Sequence, residues 1–163
     1  MSTTTHNEVQ ITADPNLPTL VITREFDAPR EKVFAAHTDP DLVVQWLGPR
    51  RLTMQIDEYE ARTGGAYRYS HTGDDDVEYK FYGAFHEVRP FERIVQTFTY
   101  EGVPDGVSLD TVTFEDLGNG RTRLTGVSVV DSIEARDAMV ASGMEVGIVE
   151  GYERLDELLA TRT

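Results

Sequence analysis

The order of its periodicities predicts that this chain folds as α+β: a curved antiparallel sheet of about six to seven strands gripping one long carboxy-terminal helix. Two observations carry that prediction. Between residues 52 and 130, apolar side chains recur at every second position, in runs broken by glycine- and aspartate-rich turns. That is the signature of consecutive hairpins. From residue 144 to 160 the period changes to three and four, placing Met144, Ile148, Leu155, Leu158 and Leu159 on one helical face.

Each element follows from local chemistry. Residues 1–18 are rich in Ser, Thr, Asn and Asp, and read as a polar, partly disordered arm ahead of a single domain at 19–163. The arm lacks the basic start and apolar run of a targeting segment. Leu20, Ile22, Arg24 and Phe26 alternate with Val21, Thr23 and Glu25, predicting a first strand. Asp27 is expected to cap a short helix over 28–37, with Pro29 in its first turn. Thr38-Asp39-Pro40 stops it and caps a second helix, 40–47, which Gly48-Pro49 ends. Leu52, Met54 and Ile56 start a strand expected to run to Arg62, and Gly64-Gly65 supplies a hairpin turn. Tyr67, Tyr69 and His71 share a face of the next strand, and 73–76 turns the chain. A long strand at 77–88, expected to bulge at Gly83, leads to one at 93–100 with Ile94, Gln96, Phe98 and Tyr100 on one face. Strands at 107–115 and 122–130 flank the turn Leu117-Gly118-Asn119-Gly120. A short helix at 133–141, started by Ser132, precedes the long one.

The composition excludes several functions. The 163 residues include 29 acidic and 15 basic side chains, a net charge of −14, and no cysteine. No disulfide, thiolate metal site or cysteine nucleophile is available. The acidic excess argues against a nucleic-acid surface, and no run approaches the roughly 18 apolar residues of a membrane span. A cytoplasmic protein is expected, as monomer or homodimer.

Several short segments, in order, carry a resemblance. They are Arg24-Glu25-Phe26-Asp27-Ala28-Pro29 with Val33-Phe34-Ala35-Ala36; Thr38-Asp39-Pro40; and Gln45-Trp46-Leu47-Gly48-Pro49. Arg62-Thr63-Gly64-Gly65-Ala66-Tyr67-Arg68, then Gly83 with Glu87-Val88-Arg89-Pro90-Phe91-Glu92-Arg93-Ile94-Val95, and finally Gly120-Arg121-Thr122-Arg123-Leu124-Thr125 complete the series. Together they resemble the START-like (SRPBCC) superfamily, in the branch of the activator of heat-shock protein 90 ATPase homologues. The resemblance implies a helix-grip fold with a cavity between sheet and long helix. Its members bind lipids, hormones or polyketides, act as cyclases, or bind protein partners. Relatives often carry Gly-Trp in the last helix and Thr-Trp on the fifth strand. This chain has Gly151-Tyr152 and Thr97-Phe98.

The candidate ligand-binding residues are Trp46, Tyr67, Tyr69, His71, Phe81, Phe98, Tyr100, Met144, Gly147, Ile148 and Gly151. The aromatic rings supply apolar wall with phenol hydroxyls for a polar end, and Trp46 is expected at the mouth. A helical glycine costs roughly 1 kcal/mol relative to alanine, so Gly147 and Gly151 mark either close packing or room for a ligand. Glu60, Arg62, Arg68, Glu78, Asp110 and Arg123 are strand polar groups. Any that face a cavity need partners, and an interior carboxylate–arginine pair would make an anchor. His6, His37, His71 and His86 lack metal spacing, and Asp74-Asp75-Asp76 lacks the pattern of a calcium loop. No cofactor is indicated, and no catalytic triad or nucleophile elbow is present. The expected function is binding of a small, mostly apolar molecule such as a lipid, polyketide or aromatic metabolite. A chaperone-type protein partner is the second reading, and a cyclase or dehydratase using His71 or a buried carboxylate the third.

Overall fold

In the computed structural model, which describes residues 7–161, an eight-stranded antiparallel sheet is ordered β1-β2-β8-β7-β6-β5-β4-β3. The strands are β1 (Gln10–Ala13), β2 (Thr19–Phe26), β3 (Thr53–Tyr59), β4 (Ala66–Thr72), β5 (Glu78–Arg89), β6 (Arg93–Tyr100), β7 (Ser108–Gly118) and β8 (Arg121–Val129). Helices α1 (Arg30–Thr38) and α2 (Pro40–Val43) follow β2, and α3 (Ile133–Ala141) and α4 (Met144–Thr161) follow β8. The helix-grip architecture is as expected, with one strand more than the sequence suggested.

That extra strand is β1, which lies in the expected polar arm and pairs with the edge of β2 from Gln10↔Thr23 to Ala13↔Leu20. Its side chains are mostly exposed, so it carries no apolar periodicity to read. Tertiary contacts hold the segment instead. Arg136, buried on α3, donates to the carbonyls of Leu17 (3.1 Å) and Thr19 (2.7 Å). Asn7 bonds Asp27 and Arg121. The remainder of the arm, residues 1–6 with His6, lies outside the described residues, as do residues 162–163 at the far end of the domain.

Other boundaries also shift. Asp27 does not cap α1: Pro29 holds the N-cap position, with no side-chain hydrogen bond there. Asp27 instead accepts from Arg121 (2.9 Å). Asp39 caps α2 as expected, accepting from the Asp41 N–H, but the helix stops at Val43 and continues as turns. β3 ends at Tyr59, after a bulge between Ile56 and Glu58. β5 bulges between Phe85 and Glu87, not at Gly83. Gly83 has a different use: a Cβ there would lie 2.0 Å from the Thr97 carbonyl oxygen and 2.6 Å from the Tyr67 hydroxyl. The missing side chain lets the Tyr67 ring cross β5 and donate to Thr97 O (2.6 Å) on β6.

The core lies between the sheet's inner face, α1, α2 and α4. Phe26, Val33, Phe34, Phe85, Ile94, Phe114, Leu124 and Leu155 are fully or almost fully buried in it. Helix α4 reaches β2 through long side chains. Tyr152 meets Phe26 edge to face (5.4 Å), and Asp156 takes two hydrogen bonds from Arg24 (2.8 and 2.6 Å). Arg24 is 4% exposed and Asp156 38%. Losing Asp156 leaves a buried guanidinium without its counter-charge, whereas replacing both groups does not. Asp156→Ala is therefore expected to cost about 1–3 kcal/mol, after allowing for solvent at the carboxylate. Arg24→Met with Asp156→Leu is expected to recover most of that loss. Urea unfolding of the single and double variants measures both, and an equal loss in the two would remove the pair as the reason.

Candidate functional site

The inner face of the sheet is set by register. Leu20, Ile22, Arg24 and Phe26 of β2 lie beside Ser128, Gly126, Leu124 and Thr122 of β8. These oppose Asp110, Val112, Phe114 and Asp116 of β7. The first two of those in turn oppose Gln96 and Ile94 of β6, and Gln96 opposes Phe85 of β5. One rung of this surface is polar across three adjacent strands: Ser128, Asp110, Gln96.

The rung continues to β4 through Tyr67. Its hydroxyl accepts from Gln96 Nε2 (3.2 Å) while donating to Thr97 O. Ser108 and Ser128 hydrogen-bond the Asp110 carboxyl, yet its Oδ1 is sealed from solvent and has no partner. Burial pushes this carboxyl up, against the two serine bonds. Its charge reaches three phenols, Tyr67, Tyr69 and Tyr152, and adds to the burial that pushes each of them up, Tyr152 to about 12. Beside the rung is Gly126. A Cβ on it would meet only Ile22, at 3.9 and 4.0 Å, and no atom of α4 within 4 Å. An added side chain here would project into open space.

Across the polar rung from Gly126, beginning at Phe98 opposite Ser108, stands an aromatic wall formed by six of the eleven residues singled out from sequence. His71 and Tyr69 pack at 5.3 Å, Tyr69 and Phe81 at 5.2 Å, Phe81 and Phe98 at 5.4 Å, and Phe81 and Tyr100 at 5.3 Å. Tyr67 stacks on Tyr69 at 5.9 Å. Met144 and Ile148 sit half-buried in the first turns of α4.

The other candidates lie on a different seam. Trp46 is 4% exposed, not at a mouth: its indole N–H donates to Ala36 O (2.8 Å), and its ring stacks on Tyr152 (6.0 Å). A buried indole needs an acceptor, and the end of α1 supplies it. A Cβ on Gly151 would lie 3.3 Å from Gly48 N, and one on Gly147 3.4 Å from Pro49 Cδ. These glycines admit the backbone after α2, so close packing accounts for them. Two open clefts of about 210 and 220 Å³ lie on the β2–α4 side. The first is lined by Asn7, Arg24 and Tyr152 among others, the second by Asn7, Asp27 and Asp156. None of the residues singled out from sequence lines either.

Of the strand polar groups, only Asp110 faces inward. Glu60 and Arg62 pair with each other, Arg68 with Glu101, Glu78 with Lys80, and Arg123 with Glu25 and Glu115, all on exposed or half-exposed surface. The expected interior carboxylate–arginine anchor is not formed there: Arg24 pairs with Asp156 of the helix, and Asp110 has serines. Gln96, Gly126 and Ser128 were missed. Their signal was the register, which places them opposite Asp110 or one step along from it.

His71 is buried against Gly48, hydrogen-bonded to the Leu47 backbone, and its Nε2 has no partner. Burial, helped by the Arg154 charge, lowers its pKa to about 4, and burial lowers that of His37 to about 4. Both rings fold neutral. Between the unfolded value of about 6.5 and the folded value, the unfolded chain binds more protons, so stability falls as pH drops through that window. Each ring contributes at most about 3 kcal/mol to the fall. Glu25, Glu87 and Glu157 have lowered pKa values, so their loss comes below the ordinary carboxylate range. Urea unfolding from pH 7 to pH 4.5 is expected to show a steep loss in the native protein and a shallower one in His71→Phe. Equal slopes would mean that His71 ionises freely in the fold.

Comparison with known proteins agrees with this architecture. A structure from Rhodobacter sphaeroides is 30% identical over 94% of this chain and 99% of its own, with a TM-score of 0.85. One from Arthrobacter aurescens is 28% identical over 94% and 92% (TM-score 0.84), and one from Mycobacterium smegmatis 26% identical over 93% and 96% (TM-score 0.83). No protein of curated function matches the sequence. The family model described as Activator of Hsp90 ATPase homolog 1-like protein matches residues 27–160. With that match spanning α1 to α4, the chain belongs to the Activator of Hsp90 ATPase homolog 1-like family, within the START-like superfamily.

Proposed function

We propose that this protein is a binding module that holds one small, mostly apolar molecule between the inner face of the sheet and α4. The observation that carries this reading is the open space at Gly126, where an added Cβ would meet only Ile22. A residue with a side chain would fill that space at no steric cost and would favour the strand. The wall across the rung from it is aromatic, and the rung supplies a few polar groups between the two. Apolar walls with a small number of placed polar groups are what a small-molecule site requires. Binding then draws on apolar burial, at roughly 25 cal/mol per Å² removed from water.

The test is a filling substitution. 2-Naphthol, a compact aromatic probe, is expected to raise the melting temperature of the native protein, as any ligand of the folded state alone must. Gly126→Leu is expected to melt at or above the native temperature and to show no shift with the probe. Gly126→Ala is expected to retain most of the shift. Mass spectrometry under native conditions is expected to find an organic molecule copurifying with the native protein and absent from the leucine variant. A leucine variant that responds to 2-naphthol as the native protein does would place binding elsewhere.

A further inference from the structure

The polar rung has one unpaired buried oxygen, and its chemistry restricts what can pair with it. Tyr67 donates its proton to Thr97 O, and Gln96 gives an amide hydrogen to the Tyr67 oxygen. Gly83 fixes that arrangement by leaving the Tyr67 ring its path across β5. Ser108 and Ser128 both turn to the Asp110 carboxyl. These groups are committed to one another, and Asp110 Oδ1 is the buried oxygen left over. The inner-face cation of β2, Arg24, is also committed. Its terminal nitrogens go to Asp156 and to the Glu25 carbonyl, and Asp156 neutralises it, leaving only Nε without a partner.

Resting on the binding reading above, we propose that the polar end of the bound molecule is an uncharged hydroxyl, an alcohol or phenol, paired with the Asp110 carboxyl, and that carboxylate-bearing molecules are excluded. A hydroxyl suits the position because it both donates and accepts. It gives its proton to an ionised Asp110 Oδ1, or accepts when that oxygen carries the proton. A carboxylate would add a second acidic group to the same buried rung, where Arg24 is already neutralised by Asp156, and an uncompensated buried charge is strongly disfavoured. Burial already pushes the Asp110 carboxyl up, the response of an acid whose surroundings resist negative charge. The aromatic wall of Tyr69, Phe81 and Phe98 then takes the apolar body.

A matched series of probes tests this: 2-naphthol, 2-methylnaphthalene and 2-naphthoate, which differ in one substituent. Dissociation constants are measured at pH 7 for the native protein, Asp110→Ala and Gly126→Leu, with melting curves to verify folding. In the native protein, naphthoate is expected to bind at least a hundredfold more weakly than naphthol. In Asp110→Ala, the ratio of naphthol to methylnaphthalene affinity is expected to fall at least tenfold, because the variant removes the partner of the hydroxyl and leaves the methyl group untouched. An unchanged ratio, or naphthoate binding as tightly as naphthol, overturns the role of Asp110. If binding is nevertheless lost in Gly126→Leu, the site beneath the helix stands without that anchor. If none of the three probes binds the native protein, the binding reading falls and takes this inference with it. Should Asp110→Ala fail to fold, the comparison of naphthol with naphthoate in the native protein decides alone.

Discussion

The chain after α2 is wedged between α4 and the sheet, and the spacing of the molecule depends on that wedge. On the helix side, Gly151 and Gly147 let the backbone of Trp46, Gly48 and Pro49 come within van der Waals distance. On the sheet side, Gly48, at φ +101°, lies flat on the His71 ring, where a Cβ would approach Cε1 to 2.4 Å. Helix, loop, imidazole and β4 thus form a stack with no side chain on either glycine layer. Arg154 fastens it by donating to Gly48 O (3.2 Å) and Gln45 O (3.0 Å), and Glu150 accepts from the Arg50 N–H (2.8 Å). The thickness of the stack sets how high α4 rides. Farther along, the helix touches β2 through Tyr152 and Asp156.

The interior polar rung has a thermodynamic character opposite to that of the core around it. Phe85, Ile94, Phe114 and Leu124 gain from burial on the same face. Asp110 loses: two serine hydrogen bonds compensate part of its desolvation, and one oxygen stays unpaired. An unsatisfied buried group costs about 1–3 kcal/mol, and an apolar residue in this register would avoid that cost. Tyr67 and Gln96, by contrast, bond each other, and Tyr67 bonds the β6 backbone. The rung therefore holds one buried oxygen without a partner beside groups that have theirs. Departures of this kind from local optimality concentrate where a protein meets its ligand.

How much of this could be read in the sequence follows the type of signal each feature leaves. Strands with alternating apolar residues and the long amphipathic helix were legible to within a few residues, because burial imposes its period on them. β1 was not, since an edge strand with exposed side chains has no such period. The α1 cap was misassigned because Asp27 had a stronger partner in Arg121. The aromatic wall was legible residue by residue, as rings at every second position. Trp46, Gly147 and Gly151 stand out in the sequence, but composition does not tell backbone contact from ligand room. Asp110 stood among six strand polar groups that sequence treats alike. Separating it from the other five required register, since a shift of one residue exchanges the faces of a strand. Gly126 needed more still, because a glycine over empty space and one under a packed helix have the same sequence.

Charge unites the two sides of the sheet. The chain carries 29 acidic residues against 15 basic, and the outward ones are met by arginines: Arg50 by Glu153 and Glu157, Arg121 by Glu25 and Asp27, Arg123 by Glu25 and Glu115. A net charge of −14 produces a field that lowers the local concentration of anions near the surface. That field is screened by salt over about a Debye length, roughly 8 Å at physiological ionic strength, so outside the protein its discrimination is modest. Inside, Asp110 acts in a region that screens little, where a second negative charge is far more costly. On the proposed binding reading, the exterior and the interior therefore select in the same direction, and the stronger selection falls to a single carboxyl on the inner face of β7.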